Sequence, residues 1–332
     1  MRTTRTAAAL LAAAALTATA AGCSSSGGKD SEDAANGSGG GRPAATRAMT
    51  VAMVTHSGEG DTFWDIVQSG AKAAAAKDNV TFLYAADKEG KGQAALIDSY
   101  VAKKVDGLIV TLAKPEAVKA SVAKAVAAGI PVVTINSGGP HSKAFGAITH
   151  IGQDEAVAGE AVGEELTARG RKKALCVIHE QGNVSLEERC AGVKKTFKGT
   201  VENLGVEGTN MPAATSAVEA KLQAVKDIDA VVTLGAPFAA ASVKARQGAG
   251  SRAEINTFDL NAAVVAQLKA GQIGFAVDQQ PYLQGYLAVD ALWLHEDNLN
   301  VIGGGKPVLT GPALVTEKDV PALEELTARG TR

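Results

Sequence analysis

Hydrophobic and polar positions fall into two alternating kinds of segment along the chain. Short, β-branched, nearly continuous apolar runs occupy residues 50–55, 80–84, 107–111, 131–135 and 147–151, and a second series occupies 174–178, 230–234, 254–258 and 273–277. Between them lie stretches with apolar residues at helical spacing, among them 62–77, 115–128, 154–168 and 262–270. Strands buried on both faces read as continuous apolar runs. When such runs alternate with amphipathic helices they predict parallel sheets covered by helices on both sides. The expected class is α/β, with two open, doubly wound parallel sheets.

The two series echo each other. Asp106-Gly107-Leu108-Ile109-Val110-Thr111-Leu112 is matched by Asp229-Ala230-Val231-Val232-Thr233-Leu234, and each copy soon reaches a proline, Pro115 or Pro237, suited to the first turn of a helix. The strands that follow end in Thr134-Ile135-Asn136 and Thr257-Phe258-Asp259. Ligands of open α/β sheets bind beyond the carboxyl ends of the strands. Two facing domains would therefore present Asn136 and Asp259 across one cleft.

The segment ahead of this body changes the expected compartment. Arg2 and Arg5 precede an Ala/Leu-rich run over 7–21, closed by Gly22-Cys23. A basic start, a short apolar run and small residues describe an export signal, and the run is shorter than the ~20 residues needed to span a bilayer. Ala20-Ala21-Gly22-Cys23 resembles a bacterial lipobox, with Ala20 where Leu is usual. That resemblance implies lipidation of Cys23 and anchoring to the cell membrane on its outer side. Residues 24–47 are rich in Ser, Gly, Asp, Lys and Ala, a composition that cannot bury enough surface to order itself and reads as a flexible tether. The roughly 280 residues that remain suit two domains. A net charge of -2 and the lack of a basic stripe argue against a nucleic-acid partner.

Candidate chemistry begins where the first strand ends, in His56-Ser57-Gly58-Glu59-Gly60-Asp61-Thr62-Phe63-Trp64-Asp65. This loop enters a helix with Asp61 or Thr62 as its N-cap. Adjacent aromatics on a helix diverge by about 100°, so Phe63 and Trp64 cannot both point into the same core. The loop lacks the third glycine of a dinucleotide-binding turn. His56, His141, His150, His179 and His295 show no metal spacing, and no G-x-S-x-G elbow is present. These features predict neither an enzyme nor a cofactor or metal site.

Six segments, taken in order, carry a resemblance: Asp61-Thr62-Phe63-Trp64; Gly129-Ile130-Pro131-Val132-Val133-Thr134-Ile135-Asn136-Ser137; Gly152-Gln153-Asp154-Glu155; Gly182-Asn183 through Arg189; Thr257-Phe258-Asp259; and Asp278-Gln279-Gln280-Pro281-Tyr282. Together they resemble the type I periplasmic binding proteins of the ribose- and galactose-binding branch. The resemblance implies two α/β lobes on a multi-strand hinge, the first from 49–152 plus 280–309 and the second from 153–279 plus 310–332. Crossovers are expected near Gln153, near Gln279 and over 307–312. Repressors that share this body carry a helix-turn-helix where this chain has its export signal.

The same resemblance implies a sugar site. Phe63 or Trp64 would be the stacking platform, with Asp61, Thr111 and Asn136 as polar contacts from the first lobe and Arg189, Asp259 and Gln279 from the second. His56 lies beside this group, and His179-Glu180 at a second-lobe strand end would line the cleft. Where the ribose binder carries an Asp-Arg pair, this chain has Asn136-Ser137. The chemistry is coherent. Asp259 can accept from two adjacent hydroxyls, and Arg189 can donate as a fork and balance its charge. Asn136 and Gln279 can do both, and an aromatic face covers a sugar's C–H face. Cys176 and Cys190, in a strand and the helix expected to pack on it, would be neighbours in an oxidising compartment, with a possible disulfide. The expected function is a monomeric substrate-binding lipoprotein of an ABC importer, docking on its permease, that closes on a small neutral sugar or polyol. An extracytoplasmic sensor and a sugar-modifying enzyme are the alternatives.

Overall fold

The computed structural model describes residues 48–58 and 61–332. The export signal, Cys23 and the tether lie outside the described residues, as do Glu59 and Gly60 of the first loop. The strands are β1 (Met49–Thr55), β2 (Val80–Ala86), β3 (Gly107–Val110), β4 (Val132–Ile135), β5 (Thr149–Gly152), β6 (Lys173–Ile178), β7 (Thr200–Gly205), β8 (Ala230–Thr233), β9 (Glu254–Phe258), β10 (Ile273–Asp278), β11 (Val308–Leu309) and β12 (Ala313–Val315). The helices are α1 (Phe63–Asp78), α2 (Gly90–Ala102), α3 (Pro115–Ala127), α4 (Gly139–Ser142), α5 (Glu155–Ala168), α6 (Val184–Thr196), α7 (Met211–Ala224), α8 (Ala236–Gly248), α9 (Ala262–Lys269), α10 (Pro281–Asn298) and α11 (Val320–Ala328).

Two six-stranded sheets result, ordered β11-β5-β4-β3-β1-β2 and β12-β10-β9-β8-β6-β7. Both wind the same way, and every pairing is parallel except β10 with β12. Successive side chains of a strand point to opposite faces. In the first sheet Met53 and Ile109 therefore join Trp64, Val67 and Leu292 on one side, while Val54, Leu108 and Val110 join Ile97 and Val118 on the other. The second sheet repeats the arrangement: Leu175, Val231 and Ile255 face one cluster, and Cys176, Val232 and Phe258 face another. Strand β7 escaped the sequence pattern because it is an edge strand. Its residues are all exposed or half-buried and form no apolar run.

The backbone passes between the sheets three times. It leaves β5 of the first sheet for α5, which packs on α6; it leaves β10 of the second sheet for α10, which packs on α1; and it runs from β11 in one sheet to β12 in the other. These passages lie side by side at one edge of each sheet.

Strand register gives the internal repeat its structural form. Val110 pairs with Val54 and Thr134, and Thr233 pairs with Val177 and Thr257. Asn136 and Asp259 thus occupy equivalent strand ends, and both adopt left-handed backbone, with φ of 60° and 67°. Asn and Asp tolerate this conformation better than other side chains with a Cβ. The same register makes Leu234 the structural counterpart of Thr111, and the second copy is one residue shorter before its proline.

Helices α5 and α6 approach unusually closely. A Cβ on Gly159 would overlap the carbonyl of Arg189, and one on Gly192 would overlap that of Ala156. Only glycine lets the backbones meet here. Cys176 of β6 and Cys190 of α6 are joined by a disulfide, with Cα atoms 6.0 Å apart, which ties α6 to the sheet beneath it.

Candidate functional site

The carboxyl ends of the two sheets face each other across a cavity of about 660 Å³. Of the ligand-binding candidates singled out from the sequence, all but Thr111 line it, among them His56, Asp61, Phe63, Trp64 and Asn136 from the first lobe. Thr111 is fully buried behind this wall. Its Oγ1 accepts from the His56 backbone N–H at 3.1 Å and from Gln93 Nε2 at 3.0 Å, and lies 2.8 Å from His56 Nδ1. These contacts hold the His56 ring from behind, on its Nδ1 side. Thr111 therefore orients His56 instead of contacting a ligand. It is set back because it occupies the first position beyond β3, where the chain packs against Gln93.

Trp64 is only 3% exposed. It joins the core through its body, yet its rim reaches the cavity beside half-buried Phe63. Its ring meets both Phe63 and His56 edge-on, at centroid distances of 5.1 Å. The Asp61 carboxylate accepts from the Phe63 N–H at 3.1 Å, while burial pushes its pKa up to about 6 against the lowering effect of that bond. The N-cap of α1 is Thr62, whose side chain makes no capping bond.

At the cavity floor a chain of hydrogen bonds joins the lobes. Asn136 Nδ2 donates to Gln279 Oε1 at 3.0 Å, and Gln279 Nε2 donates to Asp259 Oδ1 at 2.6 Å. Gln284 steadies Gln279 by donating to the same Oε1 at 3.0 Å. Asp259 does not cap the next helix, since Asn261 does so by accepting from Val264 N–H. Burial pushes the Asp259 pKa up to about 7, although the Arg189 charge and the Gln279 bond pull it down.

Arg189 corrects an expectation, because its carboxylate partner is Glu155 and not Asp259. Nε donates to Glu155 Oε2 at 2.6 Å, Nη2 to Oε1 at 3.0 Å, and Nη1 to the Leu234 carbonyl at 3.1 Å. The guanidinium also lies 4.7 Å from the centre of the Phe258 ring. Burial disfavours the Arg189 charge, but Glu155 outweighs burial and holds its pKa above the ordinary value.

His179 stacks on Phe238 with centroids 4.1 Å apart, and burial drives its pKa down to about 3, so the ring is neutral. Burial likewise lowers the His56 pKa despite Glu180 nearby. Glu180 Oε2 accepts from Asn183 Nδ2 at 2.9 Å, and Oε1 lies 3.5 Å from Lys114 Nζ.

Several contacts bridge the lobes away from the floor. Val184 N–H donates to Ala113 O at 3.1 Å, Gly138 N–H donates to Ser185 Oγ at 3.3 Å, and Asn183 Nδ2 lies 3.3 Å from His56 Nε2. The lobes are thus in contact along the N-terminus of α6, a closed arrangement. Sequence reasoning assigned no role to Glu155, Asn183, Ser185 or Phe238. The first three stand inside the segments that carried the resemblance. Phe238 directly follows Pro237 of the repeat, so the signal for it was present.

Comparison with known proteins agrees with this architecture. The family of the periplasmic binding protein domain matches residues 51–298. A carbohydrate transporter from Acidothermus cellulolyticus, crystallised in complex with myo-inositol, superposes with a TM-score of 0.85 at 49% identity, over 86% of this chain and 100% of that one. An ABC transporter solute-binding protein from Burkholderia graminis, in complex with D-arabinose, gives 0.73 at 26% identity, over 82% and 96%. The xylose/arabinose-binding protein XylF of Sulfolobus acidocaldarius is 24% identical over 220 residues, 60% of this chain and 54% of that protein, so the match spans about half of that relative's length. With two equivalent parallel-sheet lobes closing on a polar cavity and the family matched over most of its length, this chain belongs to the periplasmic binding protein family.

Proposed function

We propose that this protein is the extracytoplasmic substrate-binding component of an ABC importer and that it takes a small uncharged polyol, a cyclitol or a monosaccharide, in the cleft between its lobes. The observation that carries the reading is the buried Asn136–Gln279–Asp259 chain, which links both lobes and leaves Asp259 with unused acceptor capacity. Hydroxyls that both donate and accept complete such a chain. Asp259 accepts from adjacent hydroxyls, Asn136 and Gln279 orient them, and Arg189 donates its remaining N–H groups. Asp61 and His56 serve the opposite rim, while Phe63 and the edge of Trp64 cover the C–H face. His179 and Glu180 close the wall from the second lobe. The complex of the Acidothermus relative with myo-inositol supports a ring polyol of this size.

A ligand touching both lobes binds the closed form better and shifts the population toward it. The closed surface is then the form that a permease recognises. Binding and release of an unchanged ligand separate this role from an enzyme's. The N-terminal lipobox-like sequence supports anchoring through Cys23. Calorimetry and thermal shift of the purified protein against cyclitols, pentoses, hexoses and linear polyols test the reading. One class should raise Tm, since a ligand at a hundred times its Kd adds ~2.7 kcal/mol of stability. Absence of binding by every member, or turnover of any of them, sinks the proposal.

A further inference from the structure

We infer that Glu155 is a specificity-determining residue, which acts through Arg189 to make the cleft accept uncharged polyols and refuse their carboxylate-bearing counterparts, the sugar acids. The inference rests on the polyol reading of the cleft and names the residue that sets ligand charge within it.

Arg189 is the deep cation of the cavity, and a buried guanidinium facing a binding site is the natural partner of a ligand carboxylate, which it holds through two parallel N–H bonds. Here that geometry is already occupied by the protein. Glu155 accepts from Nε and Nη2 at 2.6 and 3.0 Å, and both side chains are 3% exposed. Of the five N–H donors of a guanidinium, two go to Glu155 and one to Leu234 O. One N–H on each terminal nitrogen remains, without net charge behind it. Two single donors suit hydroxyl oxygens and cannot repeat the fork.

Glu155 is itself held in place. Gln153 Nε2 donates to its Oε2 at 2.8 Å. It opens α5, where the helix dipole favours a carboxylate. The close approach of α5 to α6 through Gly159 and Gly192 fixes the two helices that carry the pair. Among the described residues, no other cation lining the cavity is free to take over deep inside it. Lys114 is engaged by Glu180 and by the Lys88 carbonyl at 2.8 Å, and Lys88 is exposed at the mouth. Asp61 and Asp259 line the same cavity from opposite lobes and bring carboxyl groups, not cations, to it. A carboxylate entering it would meet carboxyl groups and one neutralised arginine.

The test compares binding of myo-inositol and D-glucuronate by calorimetry in the parent protein, in Glu155→Gln, and in the double variant Glu155→Gln/Arg189→Gln, with Tm recorded for each. The parent should bind the neutral ring and discriminate against the acid. Glu155→Gln leaves Arg189 charged and half-released, so affinity for glucuronate should rise by about tenfold or more while that for myo-inositol falls. The double variant should lose the gain. Equal losses for both ligands in a folded Glu155→Gln protein would mean a merely structural role and overturn the inference. If Glu155→Gln does not fold, Glu155→Asp supplies the reading. It keeps the charge at shorter reach, so neutral affinity should fall with glucuronate still refused, and uptake of glucuronate by that variant would overturn the inference. A parent that binds no polyol at all would sink the function proposed above. The glucuronate gain in Glu155→Gln would still decide the role of Glu155.

Discussion

Replacing Asp259 with Ala should separate ligand binding from folding. Among the described residues, only Oδ1 of Asp259 has a protein hydrogen-bond partner, Gln279 Nε2. The carboxylate can therefore accept two further bonds from adjacent ligand hydroxyls. Hydrogen bonds to a charged group contribute ~1.5–3 kcal/mol each. Because burial raises the Asp259 pKa to about 7, about half the molecules at neutral pH must first release a proton, which offsets ~0.4 kcal/mol. Losing both bonds should cost ~3–5 kcal/mol, or roughly 100- to several-thousand-fold in Kd. The free protein should respond in the opposite sense. Its ionised Asp259 is buried without a direct cation, so Asp259→Ala removes a desolvated charge and should leave Tm unchanged or higher. Calorimetry with the ligand found in the screen, together with Tm of the free protein, reads both effects. Binding within about threefold of the parent would refute the placement of Asp259 as the main polar anchor. A large fall in the Tm of the free protein would refute the argument about its buried charge.

Three further outcomes are expected. Asp259 holds its proton to about 7 in the folded protein against an ordinary value of 3.8. The folded state then binds more protons between those values, and the group's contribution to stability is lost as pH rises through that window. Tm of the free protein should fall from pH 5 to pH 8 and fall less in Asp259→Asn; an identical slope in the two proteins would refute this. The disulfide closes a loop between residues 14 apart, so reduction should remove ~3 kcal/mol of stability; two free thiols in the unreduced protein by mass spectrometry would contradict the bond. Cys23→Ser should release the protein from the membrane fraction or leave it uncut, and a correctly cut variant that stays membrane-bound would count against lipid anchoring.

What the sequence made legible was what depends on local pattern. Parallel strands such as β3, β4 and β8 are wholly buried and almost wholly apolar, and announce themselves, and their repeat located Asn136 and Asp259 from the sequence alone. Strand β7 and the two- and three-residue hinge strands were invisible, because an exposed edge and a short crossing need no apolar run. In the cavity, residue type indicated which side chains could hold a polyol, but not which were already engaged. Thr111 and Arg189 are the instructive pair. One is turned inward to His56 and Gln93, the other committed to Glu155, and both facts depend on elements distant in sequence meeting in space.

The three side-by-side passages between the sheets make the molecule a lever. They hold the lobes at the β11 and β12 edges, which leaves essentially one rotation free. With strands about 4.8 Å apart, the Asn136 end of β4 stands roughly 10 Å from that pivot, and the β2 edge roughly 24 Å. A contraction around a ligand near the floor is therefore multiplied roughly two- to threefold at the outer rim, where Lys88 and Glu207 face the mouth. The ligand works the short arm and the rim sweeps the long one, so small differences in fit between two ligands emerge at the rim roughly two- to threefold larger.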